Sequence, residues 1–226
     1  MAPVIGGVLL TFRGRRILGM AITGLFLSLQ LFAGHPQITY YTLIMVFIFG
    51  LFHLYYAFRE KYFRELVICV GILAIGAVLS VASNAGRLWT TWEYGQYSMR
   101  SPSEIVLEAG DQTGGLTRSY VTQWSYGVDE TFTLLIPGFK GGSSVGALSE
   151  NSETYRLFAR NNPAQAAEVI QRLPLYWGEQ MSTLGPFYAG AAMVFLFVLG
   201  MFILDRRLKW WLFTATILSI MLAWGR

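Results

Sequence analysis

Three short stretches carry the residue types that do chemistry on phosphates and sugars. The first is Gly34-His35-Pro36-Gln37. Pro36 favours an extended backbone at His35, and an imidazole there can move a proton or meet a phosphate oxygen near neutral pH. The competing role for His35 and Gln37 is a solvated turn. The second stretch starts at Asn84-Ala85-Gly86-Arg87 and runs through Glu93-Tyr94-Gly95. Helical spacing places Asn84, Arg87 and Thr91 on one face. A planar guanidinium binds phosphate bidentately, and bulk lipid headgroups would satisfy Arg87 equally well. The third stretch holds Trp124, Tyr126, Asp129 and Glu130, with Lys140-Gly141-Gly142 after it. Trp124 and Tyr126 suit stacking on a pyranose ring. Glu130 suits binding a hydroxyl or accepting its proton. Lys140 beside glycines suits a phosphate nest. Asp129 and Glu130 are also explained by acids being favoured in a helix's first turn. Asp111, in Gly110-Asp111-Gln112, reads as a turn residue.

These stretches must be positioned by apolar elements, because 54% of the 226 residues are hydrophobic and mean hydropathy is +0.46. The apolar residues gather in runs at 2–12, 17–33, 38–58, 66–83, 186–204 and 210–224. Several approach the ~20 residues that cross a ~30 Å hydrocarbon layer. The connectors at 13–16, 59–65 and 205–209 together hold nine Lys/Arg and three Asp/Glu. Six crossings put all three connectors on one face, and the positive-inside rule makes that face cytoplasmic. The turn at 34–37 and the insertion at 84–185 then lie outside. The insertion carries seven Lys/Arg against ten Asp/Glu.

The expected fold is therefore an all-α polytopic membrane protein in the inner (cytoplasmic) membrane. About six transmembrane helices carry one extracytoplasmic insertion, mainly helical or irregular. Residues 1–83 supply helices one to four, 84–185 the insertion, and 186–226 helices five and six. Within the insertion, 127–136, 150–160 and 162–173 read as short helices, with Asn162 as N-cap and Pro163 at the first position. Residues 138–146 read as a flexible glycine-rich connector. The net charge of +4 is explained by topology rather than by nucleic acid as a partner. The lone Cys69 is expected to be a buried hydrophobe and His53 a packed, hydrogen-bonding histidine. No Cys/His spacing suggests zinc, so no metal or cofactor is expected, and no divalent ion can be assigned. The start has no charged n-region of a signal peptide, and the end follows directly on an apolar run. Both ends read as cut, so a portion of a longer protein is expected.

Further matches accompany these stretches: Thr11-Phe12-Arg13-Gly14, Thr39-Tyr40-Tyr41, Leu134-Leu135-Ile136-Pro137, and Tyr176-Trp177-Gly178 with Gln180. In this order and with these apolar spacers, the chain resembles an interior portion of the YfhO family of bacterial membrane proteins. That family is similar to GT-C glycosyltransferases. The resemblance implies sugar transfer from a polyprenyl-phosphate donor to an extracytoplasmic glycan acceptor of the envelope. His35, Gln37, Arg87, Glu93, Tyr94, Trp124, Tyr126, Glu130 and Lys140 would contact these substrates, with membrane lipids as further partners. GT-C enzymes carry their catalytic acid in the first extracytoplasmic loop. This chain reads as beginning after that loop, so no catalytic residue is assigned and the portion alone is expected to be inactive. A transporter or flippase for a lipid-linked or polysaccharide precursor, or a non-catalytic membrane subunit, stays open beside it. The near absence of charges within the spans argues against proton coupling.

Overall fold

A computed structural model describes residues 1–95, 97, 122–143, 146–180 and 187–225. Asp111 and Pro186, the start of the fifth apolar run, lie outside the described residues. The described chain is mainly helical. Helices α1 (Ala2–Phe12), α2 (Arg16–Phe32), α3 (Pro36–Glu60), α4 (Phe63–Ser83) and α5 (Ala85–Gly95) come first. A 3-10 helix at Asp129–Leu134 follows, then α6 (Glu153–Asn161), α7 (Pro163–Val169) with a 3-10 turn at Ile170–Arg172, α8 (Ala191–Ile203) and α9 (Arg206–Trp224). Among the described residues there is no strand, only isolated bridges pairing Gly141 with Tyr176 and Gly146 with Leu173.

Among the described residues, two helices are long and apolar enough to cross a membrane: α3, with 25 residues, and α4, with 21. About six such helices were expected; α1, α2 and α8 fall short in length, and α9 carries too much charge. The apolar helices α1, α2 and α8 have 11, 17 and 13 residues. At 1.5 Å per residue, α1 reaches only about 16 Å and α8 about 20 Å. Helix α9 has 19 residues, but Arg206, Arg207 and Lys209 fill three of its first four positions.

The chain divides into two compact units. One holds α1 to α5 and residues 206–215 of α9; the other holds the 3-10 helix, α6 to α8 and the remainder of α9. In the first unit, small residues four apart let helix backbones meet. Gly7 and Thr11 on α1 face Gly19 and Thr23 on α2. A Cβ on Gly7 would stand 2.7 Å from Thr23 N, and one on Gly19 would stand 2.6 Å from Thr11 N. Thr11 is wholly buried and returns its hydroxyl to Gly7 O at 3.0 Å. Gly24 on α2 likewise meets Gly76 on α4, and Ser80 Oγ donates to Gly24 O at 2.6 Å. In lipid, where apolar surface does not drive helices together, such close backbone approach supplies the packing energy.

Buried Asn84 separates α4 from α5. Its Nδ2 donates to Ser80 O at 2.9 Å and to Ser28 Oγ at 3.0 Å, tying the end of α4 to α2. His53 packs between Phe12 and Phe49, with ring centroids at 4.2 and 4.3 Å, and its Nδ1 lies 3.3 Å from Tyr62 Oη. Cys69 is buried. Both are placed as their sequence context suggests.

In the second unit, Ser152 caps α6 by accepting from Tyr155 N at 3.1 Å. Helix α7 starts at Pro163 as expected, but Asn162 makes no side-chain cap. Its Nδ2 instead donates to Gln165 Oε1 at 3.1 Å. The expected helix at 127–136 is the shorter 3-10 helix at Asp129–Leu134.

Candidate functional site

In the first unit, Arg87 on α5 reaches the turn that joins α2 to α3. Its Nη1 donates to Phe32 O, and its guanidinium lies 5.3 Å from the Phe32 ring centroid. That carbonyl is among the last four of α2, which have no partner within the helix, so Arg87 caps the helix end with its charge. Gly34 has φ +75° and lies tight against the guanidinium: a Cβ there would stand 2.7 Å from Nη2. The positive φ favours glycine, while the guanidinium ends a flexible side chain that can shift.

His35 follows as the N-cap residue of α3, its carbonyl accepting from Ile38 N at 3.1 Å. Gln37 Nε2 donates to Tyr41 Oη at 3.2 Å. Arg87 and the Gly34-His35 turn are thus brought together. Glu93 and Tyr94 stand farther along α5, both exposed. Arg87 has five N–H donors, and the Phe32 carbonyl takes one of the two on Nη1, so the fork keeps capacity for an oxyanion.

The second unit is organised around Glu130, which is 0% exposed. Its Oε2 accepts from Gly127 N at 2.6 Å, and its Oε1 accepts from the Tyr176 hydroxyl. Tyr176 Oη in turn accepts from Gln180 N at 3.2 Å, and Gln180 Nε2 donates to Trp124 O at 2.8 Å. A buried carboxylate without such partners would be strongly disfavoured. Burial, and then the hydrogen bond to Glu130, push the Tyr176 phenol up to about 12. Gly178 stands against Glu130 Oε1 and the Tyr176 ring, leaving no room for a side chain.

Lys140 pairs with Asp129. The Lys140 ammonium holds the Asp129 carboxyl below the usual range, and Asp129 raises Lys140 in return. Residues 140–143 are not a loose connector. They run antiparallel to 175–177 through Gly142 N to Leu175 O at 2.8 Å, Leu175 N to Ser143 O at 3.0 Å and Trp177 N to Lys140 O at 2.8 Å. Gly141, at φ +86°, permits this because a Cβ would strike Leu175 O. Tyr126 N donates to Ala223 O at 2.9 Å and Trp224 Nε1 to Thr131 Oγ1 at 2.9 Å, which fastens the cluster to the end of α9.

The structure therefore gathers Trp124, Tyr126, Glu130 and Lys140 in one unit, and places His35, Gln37, Arg87, Glu93 and Tyr94 in the other. Glu130 acts from the interior, as a group that positions its neighbours. The outward chemistry falls to Lys140, Trp124 and Trp177, the last two being 49% and 79% exposed. Reading the sequence for chemistry missed Asp129 as the partner of Lys140, and missed Tyr176, Trp177 and Gln180 as site residues. The last three stood in a resemblance segment, Tyr176-Trp177-Gly178 with Gln180, but nothing in the sequence paired that segment with Glu130, 46 residues earlier.

Among the described residues, no three His, Cys, Asp or Glu side chains gather as a metal site. Comparison with family models, with curated proteins and with solved structures finds no match to this chain.

Proposed function

We propose that this chain belongs to a multi-pass glycosyltransferase of GT-C type in the inner membrane. It would transfer a sugar from a polyprenyl-phosphate donor to an extracytoplasmic glycan. The observation that supports this most is the buried Glu130–Tyr176 hydrogen bond. The backbone of Trp124 is tied to the 176–180 segment through Gln180, and Trp177 N donates to Lys140 O, so two exposed indoles and the Asp129-paired Lys140 belong to one cluster. Indole faces stack on sugar rings because a pyranose presents an apolar patch of C–H groups to the π-face. The Lys140 ammonium, exchanging Asp129 for the donor, would offset charge on a departing phosphate. Arg87, with donors to spare, supplies a second phosphate contact at the outer turn. No residue in the chain is assigned as the catalytic acid or base, and Glu130 is too deeply enclosed for that role.

The test uses cells lacking the full-length gene, complemented with variants, and membranes assayed for transfer of labelled sugar from polyprenyl phosphate. Arg87→Ala and Lys140→Ala, expressed at wild-type levels, are expected to lower transfer by about tenfold or more each, the scale of one lost charge-assisted contact. Full transfer by both variants would remove the site assignment. Movement of the lipid-linked precursor across the membrane without transfer would favour the flippase reading.

A further inference from the structure

The charged ends of the first unit enclose a polar site apart from the Arg87 turn. A cavity of about 200 Å³ is lined by Arg16 at the start of α2, His53 on α3, Tyr62 and Glu65 at the start of α4, and Arg207 at the start of α9. It reaches Thr11 and Cys69 inside the bundle. Its volume falls below the ~300–1,000 Å³ of pockets for drug-sized ligands, so it suits a small group.

The lining holds two guanidiniums and one carboxylate, and each guanidinium has one acid partner. Arg16 pairs with Glu65, and Arg207 pairs with Glu60 while lying over the rings of Tyr56 and Tyr62 at 5.2 and 5.0 Å. These two pairs use both acids of the 59–65 connector. Gly14, also on the wall, is flanked by the exposed Arg13 and Arg15. Helices α2, α4 and α9 all begin here, so the positive ends of three macrodipoles add to the guanidinium charge. Arg207 is held rigidly by two rings and a carboxylate, which preorganises its remaining donors.

We propose that this cavity binds a phosphate group, presented by an anionic phospholipid headgroup or as a free phosphate anion. Arg16 and Arg207 serve as donors, with Glu65 as an internal competitor for Arg16. The site stands independently of the sugar-transfer reading.

The experiment titrates the purified full chain in neutral detergent with dioleoyl phosphatidylglycerol, dioleoyl phosphatidylcholine or inorganic phosphate. Thermal midpoint and native mass spectrometry serve as readouts. Phosphatidylglycerol is expected to bind and raise the midpoint, with phosphatidylcholine weaker. Saturable binding of inorganic phosphate at the same site would assign the source to free anion instead. Arg207→Gln is expected to weaken binding. Glu65→Gln removes the competing acid and is expected to tighten binding by about two- to fivefold, the worth of one partly exposed charge pair. A merely structural ion pair would not give that gain. The site is overturned if no phosphate-bearing compound binds, or if Glu65→Gln, with its fold verified by circular dichroism, leaves binding unchanged or weaker.

Discussion

Replacing Tyr176 by Phe removes one oxygen atom and tests the organisation of the second unit. That oxygen donates to Glu130 Oε1 and accepts from Gln180 N. Glu130 is 0% exposed, so water cannot take the place of the lost donor without opening the cluster. A hydrogen bond to a charged group contributes roughly 1.5–3 kcal/mol, and an amide left unsatisfied costs up to a similar amount where it is buried. The loss for Tyr176→Phe should therefore be about 1.5–3 kcal/mol, set by the bond to Glu130. Amide hydrogen exchange of the full chain in detergent reads this directly. Protection at Gly127 and Gln180 should fall, while protection in α3 and α4 should not change. Glu130→Gln alone should cost a comparable amount. The double variant should cost less than the sum, with a coupling of about 1.5–3 kcal/mol. Additive losses would mean that the two side chains do not interact, and the reasoning about the cluster would be wrong.

Three further outcomes follow from the geometry. The Tyr176 phenol, raised to about 12, stays protonated in the folded state at a pH where an unfolded tyrosine ionises. Its stabilising contribution is therefore whole below pH ~10 and is lost as pH climbs from there toward 12. The wild-type minus Tyr176→Phe difference in phenolate absorbance should show a midpoint well above 10, and a midpoint at 10 would refute the bond. Asp129, depressed by Lys140, contributes in the opposite sense. Its share is present above the ordinary Asp value of ~3.9 and is lost as pH falls through the folded value. Lys140→Met should return the Asp129 carboxyl to the ordinary range, seen by carboxyl carbon chemical shift. Gly19→Leu forces a side chain between α1 and α2, where a Cβ alone would stand 2.6 Å from Gly7 O. It should destabilise the chain by at least ~1–3 kcal/mol, measured as a lower thermal midpoint, and Gly6→Leu, where a Cβ meets nothing within 4 Å, should not.

Much of the helical layout was legible because period and capping are local. The boundaries of α2 and α4 follow the limits of apolar runs, and Pro163 starts α7 as read; Pro36, read as part of a turn, starts α3. Helix lengths were less legible: apolar composition marks 186–204 as a span, yet α8 begins only at Ala191, after Gly190 at φ +105°. The 138–146 stretch read as loose because glycine signals freedom. Its pairing with 173–177 depends on a strand partner some 30 residues away, which composition does not reveal. Glu130 was picked out as a chemical group, but its burial comes from Tyr176 and Gly127 enclosing it. Arg87 was read as a phosphate ligand from its place at the outer end of α4. Its role at the Phe32 carbonyl emerges only once α2 and α5 are seen side by side.

Cysteine labelling in intact cells puts the membrane arrangement to the most direct test. Ser149→Cys lies in the second unit and Lys61→Cys in the connector after α3, both exposed and introduced with Cys69→Ser. An insertion outside the membrane and basic connectors inside predict that a membrane-impermeant maleimide labels Cys at 149 in intact cells, and labels Cys at 61 only after permeabilisation. The reverse pattern would place the Glu130 cluster in the cytoplasm, where no extracytoplasmic glycan could reach it.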